Sequence, residues 1–235
     1  MKKYNALLVV GWVMFSGLAL QAEDLRLGVE HRHALKKCTG ELIFKDDQVE
    51  YVTVNKKHAR VWKYQDIQQL GLLDPKVISV LTYEDQKYKF GKDRGFRFQV
   101  TEGEVSPALW TFLQSKLTKP LVSSVFPQDI APKYRIPVKH QRGWGGTQGI
   151  LEISDRYIAY KTDAKKDSRI WRYEDISSMG TTGSYQLRLT SMDRVEGEFG
   201  GERNFVFDLK EKLNPEAYDF IWWKLNGPKI SAVQP

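Results

Sequence analysis

From residue 25 onward, apolar and polar positions alternate with period two over short runs, the pattern of strands that bury one face. Residues 40–44 and 48–54 read as two strands, and Lys45, Asp46 and Asp47 make the tight turn between them. Residues 55–59 form a polar loop, and residues 60–67 read as a third strand. Residues 77–84, 86–91 and 96–100 supply more strands. The same series returns at 149–153, 157–162, 169–176, 186–191, 197–200 and 205–209. Two helices interrupt the alternation. Ser106–Pro107 precedes one, with Leu109, Phe112 and Leu113 on a common face. Asn214–Pro215 precedes the other, with Tyr218, Ile221, Trp222 and Leu225 on its inner face. Ser and Asn are strong N-caps, and proline favours the first helical position.

The strand series repeats because the sequence does. ARVWKYQDI at 59–67 returns as SRIWRYEDI at 168–176, an offset of 109. That offset also matches Gly40 with Gly149, Leu42 with Leu151, Tyr51 with Tyr160, Arg94 with Arg203 and Phe96 with Phe205. Internal repetition on this scale is a duplicated unit. The copies span 31–118 and 140–226, each with about seven strands and a terminal amphipathic helix, so the chain is mainly β with some α. Between them, residues 119–139 hold Pro120, Pro127, Pro132 and Pro137, an extended linker packed down through Leu121, Val125 and Phe126. Residues 227–235 read as a flexible tail.

The Gly-x-Leu at Gly40–Leu42, Tyr51 closing the second strand, Tyr64–Ile67 and the terminal helix resemble the pleckstrin-homology-like superfold, in particular its GRAM and bacterial branch. Gly149, Leu151, Tyr160 and Tyr173–Ile176 carry the resemblance in the second copy. It implies two tandem barrels, and with them lipid-binding, peptide-binding or purely structural roles.

Composition adds a compartment. Lys2 and Lys3, an apolar run from Ala6 to Leu20 and small residues up to Ala22 make the three-part pattern of a secretory signal, residues 1–22. Cleavage after Ala19 and retention as an anchor are the alternatives. The chain is therefore expected in a periplasm or secreted. Removing Lys2 and Lys3 lowers the formal charge from +7 to +5, a modest basic surplus suited to an anionic partner. The single Cys38 cannot form an internal disulfide and reads as a buried small apolar residue, the alternative being a thiol for intermolecular pairing.

Lys56, Lys57 and Arg60 cluster in one loop, and Lys165, Lys166 and Arg169 cluster at the matching loop. Ammonium and guanidinium groups together can clamp a phosphate or another anion. The resemblance implies the same, because such domains use basic loops for anionic headgroups. Asp167 partly offsets the second loop.

Other chemistry finds little support. His31 and His33 could share a strand face, but no Cys or carboxylate cluster joins them, so no metal is expected. The glycine-rich stretch 142–149 precedes a strand rather than the helix a phosphate cradle needs. No histidine stands near a recognisable nucleophile, and Asp66 and Asp175 read as strand-end caps. Trp62 and Tyr64 alternate with Lys63, which puts the aromatics in a core and not on nucleic acid. The expectation is a non-enzymatic exported binding or scaffolding protein without cofactor. Its partner is a protein or an anionic membrane or glycan surface, the alternative being an anionic headgroup or other anion held by the Lys-Lys loops.

Overall fold

A computed structural model describes residues 25–32, 36–86, 91–127, 131–164, 166–194 and 201–231. The signal segment, His33, Lys165 and the predicted strand at 197–200 lie outside them, as does most of the one at 86–91.

The first half holds β1 (Leu25–Arg32), β2 (Lys37–Phe44), β3 (Gln48–Thr53), β4 (Arg60–Lys63), β5 (Ile67–Asp74), β6 (Val77–Asp85), β7 (Asp93–Glu102) and α1 (Pro107–Lys116). A short strand β8 (Leu121–Ser123) follows. The second half holds β9 (Tyr134–Gln141), β10 (Gly146–Ile153), β11 (Tyr157–Lys161), β12 (Arg169–Arg172), β13 (Ile176–Thr181), β14 (Gln186–Ser191), β15 (Arg203–Leu209) and α2 (Pro215–Ser231). All the described strands join one sheet in the order β13-β14-β15-β9-β10-β11-β12-β8-β5-β6-β7-β1-β2-β3-β4. The protein is thus mainly β with two helices on one large open sheet. Within that sheet the two halves repeat one order: β5-β6-β7-β1-β2-β3-β4 corresponds to β13-β14-β15-β9-β10-β11-β12.

The repeated motifs have local physical causes. Residues 60–67 are not one strand. β4 stops at Lys63, and Tyr64–Asp66 forms a single 3-10 turn that redirects the chain into β5. The Tyr64 hydroxyl donates to the Lys45 carbonyl at 2.8 Å, and Tyr173 donates to Ser154 at 2.7 Å, so each tyrosine pins its corner to the preceding hairpin. Trp62, Tyr64, Trp171 and Tyr173 are all buried. Gly40 and Gly149 recur because a Cβ at either would fall inside 3.0 Å of a facing carbonyl oxygen, Val52 or Lys161, and of the ring of Tyr51 or Tyr160.

β1, β5, β8, β9 and β13 escaped the reading of periodicity. β1 carries charged residues at three positions and Gly28 at its centre, yet pairs with β2 along its whole length. β9 runs through the expected linker and contains Pro137. The Pro137 carbonyl accepts from Lys210 on the β15 side, where the β15 pairing ends at Leu209. Its missing N–H therefore faces the end of the β15 ladder and not β10, which pairs along the whole strand.

The halves are joined through β8. It runs parallel to β5, with Leu70, Gly71 and Leu72 opposite Leu121, Val122 and Ser123, and it meets β12 at Ile170. Leu121 and Val125 are buried, and Phe126 packs on the first core. That core also takes in Tyr157, Ala159 and Ile170 of the second half. Trp110 on α1 reaches across, its ring 6.0 Å from that of Tyr157, so α1 buries Leu109, Trp110 and Leu113 and leaves Phe112 only partly covered.

A buried ion pair fastens the junction. Arg172, the counterpart of exposed Lys63, is 1% exposed. Its Nε and Nη2 donate to Asp175 at 2.7 Å each, Nη1 donates to the Leu117 carbonyl and Nη2 to that of Lys119, both at 2.8 Å. Asp175 also accepts from the Leu121 N–H at 3.3 Å. The strand-end cap expected at Asp175 is therefore an anchor between halves, whereas Asp66 stays exposed.

α2 runs to Ser231, so the expected tail at 227–235 begins inside a helix. Asn226 donates from Nδ2 to the Trp222 carbonyl, and Ser231 from Oγ to that of Gly227, covering carbonyls around Pro228. Ala217, Ile221 and Leu225 face the core, while Trp222, assigned inward from periodicity, is exposed beside Trp223. Among the described residues, no helix is long and apolar enough to cross a membrane.

Candidate functional site

Each half presents the same cluster. In the first, Arg60 at the start of β4 and Arg94 on β7 lie over the Phe96 ring, at 5.9 and 4.9 Å from its centroid. Both approach Glu84 on β6, at 4.0 and 3.5 Å. In the second, Arg169 and Arg203 lie over Phe205 at 5.7 and 5.5 Å and share Asp193. Every member recurs at the offset of 109.

The acids differ by one methylene, with a consequence for the tryptophans. Glu84 reaches Trp62, whose Nε1 donates to it at 3.2 Å. Asp193 is held instead by Arg169 and Ser191, and the buried Trp171 Nε1 and Arg169 Nε have no hydrogen-bond partner among the described residues. Burial lowers the Arg169 pKa and Asp193 opposes the fall, but a guanidinium keeps its charge in either case.

Beside this cluster the second half opens into a cavity of about 550 Å³, lined by His140, Arg142, Lys166, Asp167, Arg169 and Arg203, with Phe205 as an apolar wall. Asp167, buried, accepts from Arg142 and Thr147, and the His140 Nδ1 lies 3.5 Å away. Burial raises the Asp167 carboxyl, but the hydrogen bonds from Thr147 and Arg142 outweigh it and hold the group below its ordinary value. The His140 ring packs against Tyr160, Phe205 and Phe207, and burial lowers its pKa despite Asp167. With His140 neutral, the lining sets four cations against one carboxylate, and that carboxylate is already engaged.

The first half substitutes other groups at the corresponding places. His31 occupies the position of His140, its Nδ1 donating to the Arg97 carbonyl at 2.9 Å among Tyr51, Phe96 and Phe98. Cys38 stands for Thr147 and His58 for Asp167, with Sγ and Nδ1 2.9 Å apart. Cys38 is thus half-buried in polar contact, not sunk in the apolar core. No group of three metal-ligating side chains is arranged to hold an ion among the described residues.

The loop residues singled out in the sequence divide between these places. Lys56 and Lys57 are exposed on the loop after β3, where Asn55 Oδ1 accepts from the Lys57 N–H. Arg60 turns back to donate to the Lys57 and Ala59 carbonyls. Lys165 is outside the described residues. Lys166, exposed with φ of 65°, and Arg169 line the cavity together. Arg142, just past the end of β9, and Arg203, at the start of β15, complete it. The recurrence of Arg94 as Arg203 and of Glu84 as Asp193 was the signal that could have found the cluster.

A larger cavity of about 830 Å³ lies at the junction of the halves. Among the described residues its charges balance: Glu104 and Glu152 face Arg135 and Lys161, and Glu152 pairs with both cations at 3.2 and 2.7 Å. It offers an incoming charged group no net attraction.

No family model and no curated protein matches this sequence. Among solved structures, the chain is similar to the C-terminal domain of an unknown protein from Leishmania infantum, at 11% identity and a TM-score of 0.32 over 41% of this chain and 84% of that one. It is also similar to the Spt16D Pob3N heterodimer, at 9% identity and a TM-score of 0.32 over 82% of this chain and 99% of that one. Likenesses at this level identify neither a family nor a function.

Proposed function

We propose that the chain is an exported, non-enzymatic binding protein built of two pleckstrin-homology-like units, the second of which grips an anionic group. The observation that carries the reading is the second-half cavity, where Arg142, Lys166, Arg169 and Arg203 converge beside Phe205. The two acids nearby, Asp167 and Asp193, are each committed to an arginine, which suits holding a ligand better than moving protons. The shared seven-strand order and the helix that ends each half support the tandem assignment. Lys2, Lys3 and the apolar run from Ala6 to Leu20 support export.

A charge-assisted hydrogen bond contributes about 1.5–3 kcal/mol, so Arg203→Ala should weaken anion binding roughly 10- to 100-fold. The test is a titration of the chain lacking residues 1–22 with inorganic phosphate at low salt, followed by amide NMR. Shifts at Lys166, Arg203 and Phe205 that Arg203→Ala abolishes support the reading. Saturation with no shift at these residues sinks it.

A further inference from the structure

The repeat extends beyond the second helix. Shifted by 108, Leu117-Thr118-Lys119-Pro120-Leu121-Val122-Ser123 aligns with Leu225-Asn226-Gly227-Pro228-Lys229-Ile230-Ser231. Leucine, proline and serine are identical, and valine exchanges with isoleucine. In the first half this segment leaves the helix at Leu117, whose backbone is already extended, and forms β8 along the outer side of β5. In the second half the same residues prolong α2.

That last helical turn is weak. Asn226, Gly227 and Pro228 are poor helix formers, and Pro228 has no N–H to bond the Lys224 carbonyl. Meanwhile β13, the counterpart of β5, is the terminal strand of the sheet, its outer side unpaired among the described residues. An open edge with free N–H and C=O groups attracts a strand.

We propose that α2 unwinds after Leu225 and that the chain's own segment Pro228–Ser231 then docks in parallel along β13, as β8 docks on β5. The known register carries over residue by residue: Lys229 lies opposite Met179, Ile230 opposite Gly180 and Ser231 opposite Thr181. The Met179 N–H then donates to the Pro228 carbonyl, as the Leu70 N–H donates to that of Pro120 at 3.1 Å. Reach is assured, because Leu225 precedes Lys229 by the same four residues that separate Leu117 from Leu121. One difference fits the arrangement. Leu121 is buried with β12 on its other side, whereas the matching position carries Lys229, a residue that blunts an exposed edge.

The test is amide hydrogen exchange at Met179 in the full chain and in a chain ending at Gly227, with Leu70 and Leu189 as reporters that both are folded. Exchange at Met179 should be at least ten-fold faster in the shortened chain, and added peptide PKISAVQP should slow it again. Equal rates in the two chains would overturn the proposal, as would helical chemical shifts at Lys229–Ser231 in solution. Protection that rises with protein concentration would assign the strand to a second copy and overturn docking within one molecule.

Discussion

Replacing Arg172 by methionine keeps most of the side chain's volume and removes the charge that fastens the two halves. The guanidinium makes four short hydrogen bonds: two to Asp175 at 2.7 Å, and one each to the Leu117 and Lys119 carbonyls at 2.8 Å. Asp175 is 4% exposed, so in the variant its carboxylate stays buried with only the Leu121 N–H in reach. Breaking a buried pair from one side costs about 3–5 kcal/mol, mostly the penalty of the stranded charge. Burial already pushes the Asp175 carboxyl up while Arg172 opposes it, and without the arginine a proton must replace the lost cation. A group whose folded pKa is raised gains stability as pH falls, so the defect should shrink between pH 7 and pH 5. Urea unfolding of Arg172→Met, Asp175→Asn and the double variant measures this as a cycle. The double variant should recover a coupling energy of about 2 kcal/mol, within the usual range for residues in contact. Lys63→Met, at the exposed counterpart, should change stability by less than about 0.5 kcal/mol. A loss below about 1 kcal/mol for Arg172→Met would refute the claim that this pair joins the halves.

Gly149→Ala should destabilise by about 1–3 kcal/mol in chemical denaturation, because its Cβ meets the Lys161 carbonyl and the Tyr160 ring. Gly143→Ala, with open space around the new carbon, should move the same midpoint little, and equal losses at both would discredit the close approach. Burial lowers the pKa of both His31 and His140 from the usual value of about 6.5. The unfolded chain therefore binds more protons than the folded one below that pH, and stability present above 6.5 is lost as the pH falls. Tm should drop between pH 7.5 and 5.5 and drop less in His140→Phe. A flat profile in the parent chain would contradict the burial of these rings.

Much of the fold was legible where local chemistry and tertiary contacts agree. Ser106 caps α1, accepting from the Leu109 N–H, and Trp62 and Trp171 lie inward as alternation demands. The offset of 109 anticipated that both halves share one strand order. What alternation missed is set by partners elsewhere in the chain. β1 is defined by β2 and β7, β9 tolerates Pro137 because its N–H side lies where the β15 ladder ends, and β8 exists only between β5 and β12. Trp110 lies off the face shared by Leu109, Phe112 and Leu113, and Arg172 alternates with inward Trp171 and Tyr173, yet contacts across the junction bury both. At the candidate site, Lys166 and Arg169 stood out as a local charge cluster. Arg142 and Arg203 lie far from them in sequence, and only the pairing of β9 with β15 brings those strands side by side.

An anionic group held in the second-half cavity is the proposed ligand, and co-sedimentation with vesicles tests this on a surface. The chain lacking residues 1–22 is mixed at low salt with neutral phosphatidylcholine vesicles, with vesicles carrying anionic lipid, or with anionic vesicles plus excess inorganic phosphate. Pelleting is expected with the anionic vesicles only, with competition by phosphate and with loss of pelleting in Arg142→Glu/Arg203→Glu but not in Lys56→Glu/Lys57→Glu. Phosphate binding at the cavity without pelleting would assign the site to a soluble anion. Absence of both pelleting and phosphate binding at low salt would rule out an anion site in the cavity.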